Sequence, residues 1–287
     1  MHPLKITRTI IFSLIPWFSL AQVQPPSDAS PADQQSGEHT ALKVEPGSPV
    51  LKPHDIYERT GYFHPFTRMP RYVLRDQEAA WTSPFHTSKA NAKWWVIFGV
   101  GAGTLIATDK HTIKVLPNTP TQLSIGTWAS RLGSAYSVIP ISTAFYLVGT
   151  HAHHERLRET GLLGFEALLD ANIVGQGIKL IADRARPYEG NGSGRFENSS
   201  LSRSNSSFPS GHAINSWALA SVVAHQYRHS KVIPIIAYGL AATVSLARVG
   251  AEQHFPGDVV IGSGLGWFIG DYIYAKRHNE ALDQVNH

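Results

Sequence analysis

ERLRETGLLGFEALLDANIVGQGIKLIA, Glu155–Ala182, is the stretch whose reading decides the fold. Leu162, Leu163, Phe165, Leu168, Leu169, Ile173, Val174, Ile178 and Ile181 largely repeat at helical spacing, which predicts one long amphipathic helix with an apolar side to bury. Upstream lie an uncharged apolar run, Trp94–Thr108, a weaker segment, Thr121–Leu132, and an apolar one, Tyr136–Val148. Downstream, a Gly/Ser/Asn-rich loop from Glu189 to Ser207 leads to three more helical segments, about Ala213–Tyr227, Val232–Ala247 and Gly257–Tyr274. Almost nothing alternates with period two. The expected fold is all-α, a helical bundle over residues 93–278.

The 287 residues are 43% hydrophobic, enough for one core with length left over. Lys5 and Arg8 precede an apolar run from Ile10 to Leu20, and Ser19-Leu20-Ala21 offers a cleavage site, so residues 1–21 read as an export signal. Pro16 within the run argues against a lasting anchor helix. Residues 22–53 are rich in Pro, Ser, Gln, Asp and Glu, and predict a flexible tail. Residues 54–92 carry aromatics without a steady period, and are expected to pack irregularly on the core; residues 279–287 form a short C-terminal tail. The formal charge of +4 comes from scattered Lys and Arg, which gives no support to nucleic-acid binding and suits an anionic substrate or membrane face equally. With no cysteine, disulfides, thiol chemistry and Cys-ligated zinc are excluded.

Chemistry gathers where helices meet loops. Lys179 and Arg186 are seven residues apart, two helical turns, and share a face if the helix persists; Arg184 adds a cation and Pro187 marks the exit. Alone, these are an ordinary basic C-terminal turn complementing the helix dipole. Phe208-Pro209-Ser210-Gly211-His212 precedes the next helix, where Ser210 can cap and Gly211 allows close backbone approach. The free N–H groups of that first turn favour an anion beside His212, although a capping Ser is by itself commonplace. His254 and Asp258, four residues apart after Arg248, place a carboxylate where it can fix an imidazole tautomer and free the other nitrogen as nucleophile. In isolation they are a surface His–Asp pair. Together, three cations, a helix N-terminus and two histidines are what phosphoryl transfer to a side chain needs.

Lys179-x6-Arg186-Pro187, Pro209-Ser210-Gly211-His212 and Arg248-x5-His254-x3-Asp258 resemble the type-2 phosphatidic acid phosphatase and vanadium haloperoxidase superfamily in order and spacing. The resemblance covers Glu155 to about Tyr274. It departs at Ala247, where the family usually has Ser, and at Asp183, which replaces a frequent Gly and could pair with Lys179. What it implies is a helical bundle with the active site at helix ends and a metal-independent phosphatase acting on phosphomonoesters. His254 would attack phosphorus and Asp258 would orient it. His212 would protonate the leaving oxygen and then activate water. Lys179, Arg186, Arg248, Ser210 and the Gly211 backbone would bind phosphate. No metal or cofactor is implied; vanadate is expected as an inhibitor, or as the cofactor of the rival activity, a haloperoxidase. The compact length favours phosphatase. Family substrates range from lipid and polyprenyl phosphates to nucleotides and small phosphomonoesters, so the partner is a phosphorylated small molecule or lipid.

Other signals carry less. His151, His153 and His154 lack carboxylates at metal-ligand spacing. Gly99, Gly101 and Gly103 lie within an apolar helix with no preceding strand, and so read as helix packing. Asn191, Asn198 and Asn205 begin sequons expected by chance in a Ser/Asn-rich loop. Location is expected to be exported, periplasmic or in the cell envelope. Arg228, Lys231, Lys276 and Arg277 gather at one end of the last hairpin, as a membrane protein would have them. Most apolar runs fall short of a span, however, and Trp94–Thr108 and Tyr136–Val148 would cross in the same direction with only the polar Thr121–Leu132 between them. This favours a soluble or peripheral enzyme over an integral one.

Overall fold

The computed structural model describes residues 64–82, 89–189, 193–196 and 206–284. Among these the fold is all-α: α1 (His64–Thr82), α2 (Lys89–Thr112), α3 (Pro120–Ser130), α4 (Ala135–His151), α5 (Glu155–Ala182), α6 (Gly211–Gln226), α7 (Ile233–Gly250), α8 (Pro256–Arg277) and α9 (Ala281–Gln284). An isolated bridge between Arg184 and Phe196 is the extended pairing seen among the described residues. The expected export signal, the tail and the three sequons lie outside the described residues.

α5 spans the range its periodicity predicts and packs against α1, α4, α6 and α8. Its Leu162, Leu163, Ala167, Ala171 and Val174 are buried with Ile214, Ala218 and Val222 of α6 and Ile269 and Ile273 of α8. The apolar stripe is not followed throughout: Ile173 is 46% exposed and Ile181 80%. The inward side is set instead by Gly161, Gly164 and Gly175, where side chains or backbone of α4 and α6 come too close for a larger residue. At the start of α5, His154 Nδ1 accepts from the Leu157 N–H at 3.3 Å, so one member of the histidine cluster caps a helix.

α8 carries a second close contact. Gly262, Gly266 and Gly270 face the backbone of α6 one turn at a time; a side chain on any of them would run into Ser210, Ile214 or Ala218. The outer helices are longer than their apolar runs: α2 has 24 residues and α8 has 22. The stretches 120–151 and Ile233–Gly250 are long and apolar enough to cross a membrane, and most of each is left uncovered by the rest of the protein.

Two expectations need correction. The region read as irregular contains α1, whose Met69 and Val73 join the core. Its inward face continues as Asp76 and Gln77, polar residues that a search for apolar period passes over. Arg277 reaches Asp76 at 2.5 Å and Glu166 at 2.8 Å, and Gln77 donates to Asp170 at 2.7 Å, so these buried acids are held by partners far along the chain. The described part of the expected C-terminal tail, residues 279–284, is likewise docked: the Asn279 N–H donates to Glu159 at 2.7 Å, and Asp283 meets Arg228 at 2.6 Å and His278 at 2.9 Å.

Candidate active site

The C-terminal end of α5 and the N-terminal ends of α6 and α8 meet in one place. The Ser210 N–H donates to the Asp258 carbonyl at 3.0 Å, which joins the starts of α6 and α8 directly. α5 stops at Asp183, whose φ of 36° puts it in the left-handed region and turns the chain away. That conformation is the physical reason a glycine serves well at this position. The chain then brings Arg184 and Arg186 back beneath α8. The Phe208–Pro209 peptide just before α6 is cis.

Lys179 is buried and donates through Nζ to the Ser206 carbonyl at 2.5 Å, so the pairing with Asp183 suggested by their spacing is not made. Arg186 donates through Nη1 to the Gln253 carbonyl at 3.0 Å, and its own N–H to Glu189 at 3.2 Å. Arg248 donates through Nη1 to Ser130 Oγ at 3.2 Å, which ties the end of α7 to the end of α3. Arg248 Nε and Ser210 Oγ are buried without a partner, as are both carboxylate oxygens of Asp183 at the end of α5. Buried donors without acceptors cost on the order of 1–3 kcal/mol each, so Arg248 Nε and Ser210 Oγ are each placed to take an acceptor.

The cations feel one another. Burial first, then Arg186, pushes Lys179 down to about 8. Burial first, then Arg248, His254, Arg186 and Lys179, pushes His212 down to about 3. His212 therefore stands neutral among three positive charges, at the first turn of α6, where helix N–H groups also favour an anion.

His254 is 2% exposed and Asp258 is fully buried. Their relation differs from the expected direct contact. His254 Nδ1 lies 2.7 Å from the Ser207 carbonyl, and Asp258 Oδ2 is 3.8 Å away, too far for a hydrogen bond. A ring nitrogen facing a carbonyl must carry the proton, so Nε2 keeps its lone pair. Asp258 instead holds the surroundings: its Oδ2 accepts from Ser207 Oγ at 2.5 Å and from the Phe255 N–H at 2.9 Å, and its Oδ1 accepts from Arg184 at 2.5 Å. Ser207 stands between the two, its hydroxyl on Asp258 and its carbonyl facing His254 Nδ1. Burial pushes His254 down to about 4 against the opposing pull of Asp258, so the ring is neutral near pH 7.

The structure thus brings together all eight residues singled out from the sequence: Lys179, Arg186, Ser210, Gly211, His212, Arg248, His254 and Asp258. It adds Ser206, Ser207, Ser130 and Gln253, which contribute through ordinary hydroxyls, carbonyls and amides and left no motif. It also adds Asp109 on α2, a carboxylate directly after the uncharged run Trp94–Thr108; a charge ending that run was the available signal.

Residues 161–281 match the family described as the PAP2 superfamily. No curated protein sequence matches the chain. Among solved structures, a transmembrane PAP2-type phosphatidylglycerolphosphate phosphatase from Bacillus subtilis is similar at a TM-score of 0.47 and 20% identity, over 75% of this chain and 96% of that one.

Proposed function

We propose that the protein is a metal-independent phosphatase working through a phosphohistidine on His254, a reading supported by the match of residues 161–281 to the PAP2 superfamily. The observation that carries this reading is the pairing of a neutral, anchored imidazole with unpartnered buried donors around it. A phosphate dianion in the cage would accept from Lys179, Arg186, Arg248, Ser210 Oγ and the N–H groups at Gly211. His254 Nε2 then attacks phosphorus, the P–O bond to the leaving group breaks, and that oxygen takes a proton from His212. A water gives a proton back to His212 and attacks the phosphohistidine, which releases inorganic phosphate and restores His254. His212 begins this cycle protonated only if the bound anion offsets the surrounding cations. Two negative charges placed among them push His212 back up.

The substrate is expected to carry a hydrocarbon chain. A groove of about 300 Å³ runs along α4, α6 and α7, lined by Leu132, Val138, Phe145, Val223, Leu240 and Val244 among others, with Ser216 the one polar member. Val244, which lines the groove, lies one helical turn from Arg248 on the same side of α7. Exposed apolar residues continue outside it, with Ile235 and Leu246 each 73% exposed, and we infer that this side rests on lipid. Retention of the protein on membranes through an alkaline carbonate wash supports that contact; full release rules it out.

Hydrolysis of an aryl phosphate in the presence of a strong chelator tests the class. Activity should persist and vanadate, a five-coordinate phosphorus mimic, should inhibit it. Loss in chelator with recovery on adding a divalent metal overturns the reading, and peroxide-dependent bromide oxidation with vanadate would make the protein a haloperoxidase.

A further inference from the structure

Arg184 is a cation that the phosphate cage does not use. Its side chain is 1% exposed, and a buried guanidinium persists only when its donors are met. Nη1 reaches Asp258 Oδ1 at 2.5 Å, Nη2 lies 2.9 Å from Asp109 Oδ2, and Nε donates to the Gly194 carbonyl at 3.1 Å. The rings of Phe255 and Phe196 lie 4.4 Å and 4.9 Å from its centre. The fork is therefore held by hydrogen bonds to Asp258 and to the Gly194 carbonyl, by the ion pair with Asp109, and by the two aromatic rings beside it.

Asp109 is the outlying member. It is 1% exposed, comes from α2, and so lies outside residues 161–281. Its Oδ1 accepts from the Gly257 N–H at 2.9 Å, in the first turn of α8, two residues before which the nucleophile ends its loop. A Cβ on Gly257 would sit 2.7 Å from Asp109 Oδ2 and 2.8 Å from Ile106 Cγ1, so α2 is seated directly on that turn. One carboxylate thus touches both the helix that follows His254 and the arginine that holds Asp258.

We propose that Asp109 and Arg184 are positioning residues for the nucleophile, a clamp acting on His254 through Asp258 and Ser207. The connection is continuous: Asp109 and Asp258 grip Arg184 from two sides, Asp258 receives the Ser207 hydroxyl, and the Ser207 carbonyl holds His254 Nδ1. Burial alone would raise the Asp258 carboxyl; the adjacent His254 ring, Arg184 and the Ser207 hydroxyl hold it below its ordinary value, ionised and able to accept from several donors at once. Removing the Asp109 charge frees one arm of the fork, and the imidazole loses its fixed aim. Misplacement by about 1 Å costs on the order of a hundredfold in rate when nucleophile and phosphorus must be aligned. The cage itself is left in place, since Lys179, Arg186 and Arg248 contact neither residue in this chain of bonds.

The clamp rests on His254 being the nucleophile, and the experiment separates the two. Asp109→Asn keeps shape and removes charge; Arg184→Lys keeps charge and removes the fork, and serves if the first variant fails to fold. kcat and KM are measured on an aryl phosphate, with inorganic phosphate as competitive inhibitor and rapid-quench trapping of phosphoenzyme, beside His254→Ala. The expected result is a ten- to hundredfold fall in kcat and in the rate of phosphoenzyme formation, with the phosphate inhibition constant within about threefold of the parent. A wild-type kcat in the variants, or equal losses in kcat and phosphate affinity, overturns the clamp while leaving the His254 reading intact. Activity surviving in His254→Ala overturns the reading beneath it.

Discussion

Lys179 gives the sharpest test of the cage, because burial and its cationic neighbours make its charge depend on pH in an accessible range. Its ammonium is lowered from 10.5 to about 8, first by burial and then by Arg186. In the proposed mechanism the charged form binds the phosphate oxygens, so activity should require it and fall as pH rises through that value. With a value of about 8, roughly nine-tenths of the free enzyme carries the charge at pH 7 and roughly one-tenth at pH 9. kcat/KM on an aryl phosphate, which reports the free enzyme, should therefore drop about tenfold per pH unit above the midpoint. A bound dianion favours the ammonium, so the same limb in kcat should appear at higher pH. Lys179→Arg replaces the group with one that stays charged and should remove the limb, at a lower plateau because the guanidinium is wider than the ammonium it replaces. The assay is a pH profile of both variants at constant ionic strength. An alkaline limb that remains at the same pH in Lys179→Arg belongs to another group and would refute the assignment.

His212→Ala should cost about a hundred- to ten-thousand-fold on an alkyl phosphate and less on a nitrophenyl one, whose leaving oxygen needs no proton. The same variant should accumulate acid-labile, base-stable label on His254 during turnover of the activated substrate; equal losses on both substrates with no label would reverse the two roles. Ala237→Trp fills the groove from the α7 wall, away from the cage. If it displaces about two methylenes at roughly 0.8 kcal/mol each, kcat/KM on a long-chain phosphate should fall about tenfold while a short aryl phosphate is unaffected. Identical effects on both substrates would show that the groove does not hold the chain.

The sequence carried the site better than the periphery, for identifiable reasons. Lys179, Arg186, Ser210, His212, Arg248, His254 and Asp258 sit at helix ends, and each spacing is short enough for local geometry to set it. α5 was legible because its apolar spacing persists over its length; the cap at His154 and the turn at Asp183 emerge only in the structure. α1 was not, since its inward face runs from Met69 and Val73 into Asp76, a carboxylate whose partner Arg277 stands 201 residues later. The contact that anchors His254 was also hidden. A backbone carbonyl at Ser207 has no signature in the amino-acid code, while Asp258 at four-residue spacing offered an obvious alternative. Asp109 shows the same limit: what makes it matter is Arg184 and Gly257, both brought to it only by the packed bundle.

The glycine stripe on α8 has a kinetic meaning. His212 rides on the first turn of α6, and His254 stands two residues before α8, so in the proposed mechanism the separation of proton donor and nucleophile is the register of one helix against the other. Gly262, Gly266 and Gly270 let the two backbones mesh like the teeth of a rack against Ser210, Ile214 and Ala218. Meshed teeth do not creep. The helices can change register only by whole turns of about 5.4 Å, a step that would put the histidines out of reach of one substrate. Between such steps the spacing is a fixed quantity, and thermal sliding of α6 along α8 adds little to the distance that phosphorus must bridge.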